Sequence, residues 1–458
     1  MNSRSTLLAA LLLFGASPAF SAPEEESPFI SGNEVHPPTQ IPEDLEPSPR
    51  RQPWPILLLI KPSKRGMFIR LPIVDTDPNR GVTFGIMPIW VLQGKNESRI
   101  RHIHAPSLTY NQTFRFIPTY RYYYYPTPKA NYQLRGSLSA FEDRELMAQM
   151  EDWDFLGRDI AATIRLQFDV DGSKRFFGIG PDSSRDAETN FTRKIMHYRA
   201  RLGLPLFQDS GLRFNIQHHM AGVRLAAGVM DELPDIGVKF PERTPGHWHQ
   251  DAEMQLFIDY DTRDDATTTT RGSYVKFMIE NSQKGWGSEY AFQRYGIDLR
   301  HFHKPSDDSW HATAGRLRYE QLMGTAPFYL MPSLGGKYLH RAYGEGRYID
   351  RGMWTSTVEE RFTVYSVEVS GVTTEIEVAP FVGAGTVFSS PKRMASRFEL
   401  AGLAHEEAGF PVRAAGLRSR VPRPGAPAGR GLRRHRHRPG RPGRVHGHQL
   451  LLLTVPGT

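Results

Sequence analysis

Residues 129–141 read KANYQLRGSLSAF, and residues 159–170 read DIAATIRLQFDV. In both stretches apolar or small residues alternate with polar ones. One face carries Ala130, Tyr132, Leu134, Gly136, Leu138 and Ala140 in the first stretch, and Ala162, Ile164, Leu166, Phe168 and Val170 in the second. Because successive side chains of a strand point to opposite faces, this period of two predicts β-strands with one apolar and one polar face. Residues 251–260, 310–319 and 376–388 have the same pattern.

Alternation is also found in soluble β-sandwiches, so other features must separate the two folds. Charged residues recur in the middle of the polar faces, which is typical of a water-filled barrel lumen: Arg165, Asp169, Arg199, Arg201, Glu253, Asp259, Arg316 and Arg318. Aromatic residues gather near strand ends, as in interfacial girdles: Tyr120, Tyr122 to Tyr125, Trp286, Tyr290, Tyr295, Trp310, Trp354 and Tyr365. We therefore predict an all-β fold, a transmembrane antiparallel β-barrel of about sixteen strands, over residues 66–412.

The N-terminus has the features of a secretory signal peptide over residues 1–21. Arg4 precedes an apolar segment from Leu7 to Ala16, and Ala19-Phe20-Ser21 forms a small-x-small cleavage site. The apolar segment is too short to span a bilayer and is followed by Pro23 and acidic residues. We therefore expect the chain to be exported and the segment to be removed.

Residues 22–65 are rich in proline and charge, which predicts a disordered periplasmic linker. The longest later apolar run, from Ile56 to Ile60, is far shorter than the roughly eighteen residues of a membrane helix. Barrel strands need only roughly nine to eleven residues of alternating character, which agrees with a mean hydropathy of -0.47.

The composition excludes several kinds of site. With no cysteine, the chain has no disulfide, no thiolate metal site, no cysteine nucleophile and no lipoprotein anchor. The net charge of +8 suggests a nucleic-acid partner, but much of the arginine excess follows Arg413. We therefore predict no nucleic-acid partner.

A motif near residue 340 carries a family resemblance. It comprises Leu334-Gly335-Gly336, Leu339, Arg341-Ala342-Tyr343, Arg347 and Asp350, followed by Glu359-x-Arg361. This resembles the inward-folded loop and Glu-x-Arg strand of the bacterial surface antigen family, the BamA/TamA-like outer-membrane barrels. The resemblance implies that Arg341 enters the lumen and pairs with an acidic residue of the barrel wall. A guanidinium suits that role, because it forms bidentate bonds to carboxylates.

Further stretches are similar to the same family. One is a hairpin signature in which Asp259-Tyr260-Asp261-Thr262-Arg263-Asp264 closes a strand and Gly272 opens the next. Another is Arg175-Phe176-Phe177-Gly178-Ile179-Gly180, with Glu188, Thr189 and Asn190 leading into a strand. The first strand is expected over Pro72 to Trp90, with Gly81 and Gly85.

Two departures from the family pattern stand out. Ala342 occupies the position of the tip glycine, where a positive φ would strain the turn. Members that assemble other proteins carry periplasmic polypeptide-transport domains before the barrel, and the linker at residues 22–65 is too short for one.

The C-terminal segment, residues 413–458, does not read as barrel sequence. Residues 418–444 are dense in arginine, proline and glycine, and proline removes the donors that strands need. Two interpretations stand: a basic disordered tail, or translation in a shifted frame that begins between Leu400 and Val421. Shifted codons over residues 445–454 permit Phe-Met-Gly-Ile-Asn-Tyr-Ser-Phe and then a stop, which would be a closing strand with a terminal phenylalanine. This compatibility favours the frameshift.

Signatures of catalysis are missing from the sequence. It has no Gly-x-Ser-x-Gly elbow, phosphate loop or His-Glu-x-x-His motif. His102-x-His104 and His247-x-His249 each place two imidazoles on one strand face, but no third ligand is near in sequence. We therefore predict no enzyme activity, no cofactor and no metal site.

Three functions remain open. The first is a role in membrane integration or assembly, acting through strand pairing and lipid perturbation. The second is a passive channel for small solutes, gated by the Arg341 loop, and the third is an outer-membrane hydrolase with its site at the rim. The expected location is the bacterial outer membrane. The expected partners are outer-membrane lipid, the barrel-assembly machinery during biogenesis, and a periplasmic protein.

Overall fold

The computed structural model describes residues 60–392 except residues 64, 96–98, 208–209, 244–245, 265–268, 337 and 370–371. It also describes the short segments Ser17–Pro18, His405–Gly409, Val412–Ser419, Val445–His446 and Leu451–Leu453. The predicted signal peptide and the arginine-rich tail lie almost entirely outside the described residues.

Nearly all of the described chain is β-structure. The strands are β1 Ser17–Pro18, β2 Ile60–Ser63, β3 Gly66–Asp77, β4 Gly81–Gln93, β5 Ile100–His104, β6 Ser107–Asn111, β7 Arg115–Thr127, β8 Ala130–Leu138, β9 Asp143–Phe155, β10 Ile160–Phe176, β11 Thr189–Pro205, β12 Leu212–Ala227, β13 His249–Asp261, β14 Gly272–Ser282, β15 Ala291–His303, β16 His311–Thr325, β17 Ser333–Leu334, β18 Tyr348–Ile349, β19 Gly352–Val369, β20 Val372–Val378, β21 Phe381–Phe388, β22 His405–Gly409, β23 Val412–Ser419, β24 Val445–His446 and β25 Leu451–Leu453.

Within the described residues, the helical segments whose full extent is described are single turns in the connections. These are α1 Ile236–Lys239 and four 3₁₀ turns, Arg185–Ala187, Pro241–Arg243, Lys284–Trp286 and Phe328–Leu330. Among the residues that the structure describes, no helix has the length and apolarity needed to cross a membrane.

From β7 to β16 the strands form an antiparallel meander in which neighbours along the chain are neighbours in the sheet. All described strands except β17 and β18 belong to one sheet. On β10, Leu166 pairs with Ala148 of β9 on one side and with Tyr198 of β11 on the other. This sequential pairing confirms the predicted all-β antiparallel fold. The strand number of about sixteen stays a prediction.

The sheet has its apolar face outside and its polar face inside. On β10 the side chain of Leu166 is 56% exposed, whereas Asp169 is 1% exposed and Gln167 is buried. Five of the eight mid-strand charged residues named above are buried: Asp169, Arg201, Glu253, Asp259 and Arg318. A soluble sandwich would bury the apolar face instead. The distribution is that of a barrel with a lipid-facing exterior and a polar lumen.

Two predicted strand boundaries are wrong. Residues 72–90 form the hairpin of β3 and β4, which turns at residues 78–80, rather than one strand. Residues 376–388 are divided between β20 and β21 by a break at Ala379 and Pro380. Residues 60–63, which fall within the predicted linker, pair with β3 as strand β2, and β23 runs from Val412 to Ser419.

The aromatic cluster at residues 120–125 is also divided between two faces. Tyr120 is exposed on the outer surface, but Tyr123 and Tyr125 are buried on the inner one. Because side chains of one strand alternate, consecutive tyrosines cannot all join a girdle at the outer surface.

Candidate functional site

The long connection between β16 and β19, residues 326–351, folds into the interior of the barrel, and we call it the lumen loop. It contains the 3₁₀ turn Phe328–Leu330 and the small hairpin of β17 and β18. Its contacts come from strands far apart around the sheet. Glu345 binds Lys174 Nζ of β10 at 2.6 Å, and the Leu330 carbonyl accepts from Arg294 of β15 at 2.6 Å. Only a segment inside the curved sheet can reach both.

Apolar contacts anchor the two ends of the lumen loop. The ring of Phe328 lies 4.4 Å from that of Phe176 and 5.6 Å from that of Phe191, measured between centroids. Leu334 is fully buried in a cluster with Tyr348, Met353 and Val387. A further bond joins the hydroxyls of Tyr329 and Tyr290 at 3.0 Å. Burial raises the pKa of Tyr329 well above its usual range, so its hydroxyl stays protonated.

Arg341, at the tip of the lumen loop, contacts the wall strand β19. Its Nη1 donates to Glu359 Oε2 at 2.9 Å, and both side chains are largely buried, at 12% and 6% exposed. The guanidinium also lies over the ring of Phe381, 3.6 Å from the centroid. A planar cation between a carboxylate and an aromatic face is held by charge, hydrogen bonding and cation–π attraction together.

Glu359 and Arg361 of β19, which we call the wall motif, continue the contact toward the opposite end of the barrel. Arg361 Nε donates to Glu359 Oε1 at 2.6 Å, so the carboxylate accepts from both arginines. Arg361 Nη1 donates to the carbonyl of Thr269 at 3.0 Å, in the connection between β13 and β14. The loop motif, the wall motif and the hairpin connection therefore form one chain of polar contacts across the interior.

The hairpin motif, which comprises Asp261, Arg263, Asp264 and Gly272, is held by hydrogen bonds among its own residues and their neighbours. Asp261 accepts from Arg263 Nε at 2.9 Å and from its Nη2 at 2.7 Å. Asp264 accepts from the backbone N–H groups of Thr270 and Arg271. Gly272 has φ +102, and a Cβ there would approach the carbonyl oxygen of Thr262 to 2.2 Å. The glycine is therefore needed for the close approach of the two strands.

Other residues of the lumen loop fix its backbone conformation. Gly335 has φ +131, and a Cβ there would lie 2.2 Å from the carbonyl oxygen of Gly344. Gly336 also has a positive φ and forms a bridge with His340, while Tyr343 stacks on the His340 ring. Ala342 does not have a positive φ, so the strain considered for the missing tip glycine does not arise.

Arg347 and Asp350 lie at the outgoing end of the lumen loop, away from Glu359. Arg347 donates to the hydroxyl of Ser183 at 3.0 Å and to its carbonyl at 2.9 Å, and its guanidinium lies over Phe177. Asp350 accepts from the backbone N–H of Arg351 at 2.8 Å. Arg347 therefore joins the lumen loop to the connection between β10 and β11.

Sequence reasoning missed part of the lumen's charge network. Asp298 is fully buried and accepts two bonds each from Arg300 and Arg316. Arg316 also donates to the carbonyl of Tyr338 in the lumen loop at 3.1 Å. The only signal available was the recurrence of charges in mid-strand, which does not identify partners on other strands.

Beneath the lumen loop lies a cavity of about 250 Å³, whose lining includes Arg165, Arg193, Arg199, Arg294, Glu253 and Glu320.

The two His-x-His pairs have different surroundings. The rings of His102 and His104 stack with tyrosines of β7, and their Nδ1 atoms bond to Tyr122 and Tyr120. His247 and His249 instead lie beside Glu289, which the connection between β14 and β15 supplies. Burial raises the pKa of Glu289, but bonds from the Gln250 N–H and from His249 outweigh it, so the pKa is lowered. The structure thus places a third residue of metal-ligand type, distant in sequence, beside this His-x-His pair.

The sequence was compared with family profiles and with curated protein sequences. The profile of the Omp85 superfamily domain matches residues 123–435. No curated protein sequence matches the chain.

Two solved structures of bacterial proteins align with this chain at low sequence identity. One is BamA from Haemophilus ducreyi lacking POTRA domains 1-3, with 12% identity over 75% of this chain and 69% of that one, at a TM-score of 0.47. Another is the siderophore receptor PirA from Pseudomonas aeruginosa, with 8% identity over 78% of this chain and 75% of that one, at a TM-score of 0.25. The superfamily profile, which covers more than half of the sequence, shows that this chain belongs to the Omp85 superfamily.

Proposed function

We propose that the protein is an integral barrel of the bacterial outer membrane that takes part in inserting or assembling other membrane proteins. It would act by pairing strands and perturbing lipid at its wall, and the proposal includes no bond-making chemistry. Membership of the Omp85 superfamily supports the membrane location. The apolar exterior supports direct contact with lipid.

The observation that carries this proposal is the bond of Arg341 to Glu359, which secures the lumen loop across the interior. With Arg361 and Thr269 it extends from the loop to the opposite end of the barrel. A lumen occupied in this way is a poor path for solutes. The wall and the lipid beside it are then the surfaces left for function.

Loop lengths support an orientation. The connections at residues 128–129 and 156–159 lie at one end of the barrel, and those at residues 177–188, 228–248 and 326–351 lie at the other. Outer-membrane barrels have short periplasmic turns and longer extracellular loops. The first end would therefore face the periplasm, where the barrel-assembly machinery and a periplasmic partner protein would meet it.

Reconstitution tests the assembly proposal. The full chain is placed in vesicles of phosphatidylethanolamine and phosphatidylglycerol, and a urea-unfolded eight-stranded barrel protein is added. We expect the client to reach its folded, heat-modifiable form faster than in vesicles that hold a passive porin at equal protein density. Equal client folding rates in the two preparations would contradict the proposal.

A second candidate, a gated channel for small solutes, is favoured by the charged cavity under the lumen loop. The discriminating measurement is conductance across a planar bilayer. A steady conductance that rises when Arg341→Ala frees the lumen loop, without any acceleration of client folding, would favour the channel over assembly.

A further inference from the structure

A cluster of metal-ligand types lies at the end of the barrel that carries the long loops, and we call it the rim cluster. It comprises His247 and His249, at the start of β13, and Glu289, just before β15. One ligand atom from each residue lies within 4.8 Å of those of the other two. His247 and Glu289 are exposed, so an ion in solution can reach the cluster.

Backbone bonds hold Glu289 against β13. Its N–H donates to the carbonyl of Gln250 at 2.9 Å, and its Oε1 accepts from the N–H of Gln250 at 3.0 Å. The second carboxylate oxygen, Oε2, lies 2.6 Å from Nδ1 of His249. The carboxylate is therefore positioned by the sheet and does not depend on a freely moving side chain.

The two histidine rings face each other. Their centroids are 4.1 Å apart with an angle of 46° between the planes. The atoms offered to an ion are one ring nitrogen of each histidine and one carboxylate oxygen of Glu289, and Nδ1 of His249 already lies 2.6 Å from Oε2 of Glu289.

We propose that His247, His249 and Glu289 bind a divalent transition-metal ion, for which Zn²⁺ is the best fit, with a fourth position left to water. Two imidazoles and one carboxylate form a ligand set that zinc accepts in open, water-bearing sites. Imidazole ligands disfavour Mg²⁺ and Ca²⁺, which take oxygen ligands.

The geometry requires a small adjustment on binding. Zinc bonds to nitrogen are about 2.0 Å long, so two ligands of one tetrahedral ion lie roughly 3.3 Å apart. The contact of 2.6 Å between His249 and Glu289 is shorter than that. When Nδ1 of His249 and Oε2 of Glu289 both ligate the ion, they move apart by roughly 1 Å or less. Their hydrogen bond is then replaced by two bonds to the metal.

The site would join two connections of the rim. His247 lies in the connection that follows β12, His249 begins β13, and Glu289 belongs to the connection between β14 and β15. An ion shared between them stabilises the folded rim by mass action, because the unfolded chain does not hold the three ligands together. Zinc is therefore expected to protect the connection at residues 228–248 from protease.

The experiment measures zinc bound to the full chain. The chain also carries His435, His437, His446 and His448, so all proteins are made with those four replaced by glutamine. After equilibration with Zn²⁺ and gel filtration, elemental analysis is expected to find one zinc per chain. His102→Ala/His104→Ala is the matched control, because it removes the other His-x-His pair, and it is expected to keep the zinc.

Two variants decide the outcome. Glu289→Gln keeps the size of the side chain and is expected to weaken zinc binding at least tenfold in calorimetric titration, and His247→Ala/His249→Ala is expected to abolish it. Heat-modifiable mobility is measured for each protein to separate loss of the site from loss of the fold. If a variant misfolds, X-ray absorption of the zinc-loaded four-glutamine protein must show two imidazoles and one carboxylate. Unchanged affinity in both folded variants, another ligand set, or no stoichiometric zinc in the four-glutamine protein would overturn the proposal.

Discussion

Arg341 Nη1 lies 2.9 Å from Glu359 Oε2, and this bond joins the tip of the lumen loop to the wall strand β19. The carboxylate is shared with Arg361, which in turn binds the carbonyl of Thr269. The position of the loop therefore depends on a buried ion pair whose partners lie on different elements.

Arg341→Ala is expected to destabilise the barrel by about 3 kcal/mol or more, because it leaves the Glu359 carboxylate buried with one cation fewer. The measurement is the temperature at which the folded band disappears in heat-modifiable gel mobility. Arg271→Ala is the matched control, since Arg271 pairs with Asp307 at 2.6 Å but both side chains are exposed. A surface pair contributes about 1 kcal/mol or less. Equal effects of the two variants would contradict a structural role for Arg341.

Leu166→Arg is expected to destabilise the protein in vesicles by about 2 to 4 kcal/mol, because it places a charge on the lipid-facing surface. The control is Val238→Arg in α1, where the native side chain is also exposed but lies outside the strands. Urea-dependent unfolding in vesicles measures both variants. If arginine is tolerated equally at the two positions, the outer surface of β10 does not face lipid.

Gly335→Ala is expected to destabilise the lumen loop by at least 1 kcal/mol, since φ +131 is unfavourable for alanine and the new Cβ would meet the carbonyl of Gly344. Gly136→Ala, where a Cβ has nothing within 4 Å, is expected to be neutral. Limited proteolysis within residues 326–351 reports release of the loop. Equal protection of the two variants would contradict the close packing at Gly335.

The barrel strands were predictable because their period of two is local. Residues 159–170 predicted most of β10, which runs from Ile160 to Phe176. The extra residues at its end follow no alternation, since Asp171, Ser173, Lys174 and Arg175 are all buried against the lumen loop and its neighbours. Strand ends that contact an inserted segment cannot be deduced from local pattern.

The site was predictable only in part. The approach of Arg341 to Glu359 was expected from the family resemblance, and Phe381 is the cross-strand partner of Glu359. The support from Lys174 and Arg294 instead depends on barrel curvature. Glu289 lies forty positions after His249 in the sequence. Their contact arises because β13, β14 and β15 are consecutive in the sheet, which brings the two connections to one rim.

The C-terminal segment gives a prediction about the gene. If a shifted frame produced residues 413–458, resequencing the codons for Leu400 to Thr458 will reveal an inserted or deleted base. The corrected reading is expected to end in a strand with a terminal phenylalanine and to show more complete heat-modifiable folding than the present chain. An unchanged sequence would mean that the basic tail is real.

The orientation of the wall can be measured directly, because the chain has no cysteine to compete for a label. Leu166→Cys and Arg165→Cys are each labelled with a small fluorophore, and the proteins are reconstituted in vesicles with brominated acyl chains. Leu166 is exposed on the outer face and Arg165 lies on the lumen face of the same strand. We expect the label at position 166 to be strongly quenched and the label at position 165 to be weakly quenched. Equal quenching at both positions, or stronger quenching at position 165, would contradict a lipid-embedded barrel with a polar lumen.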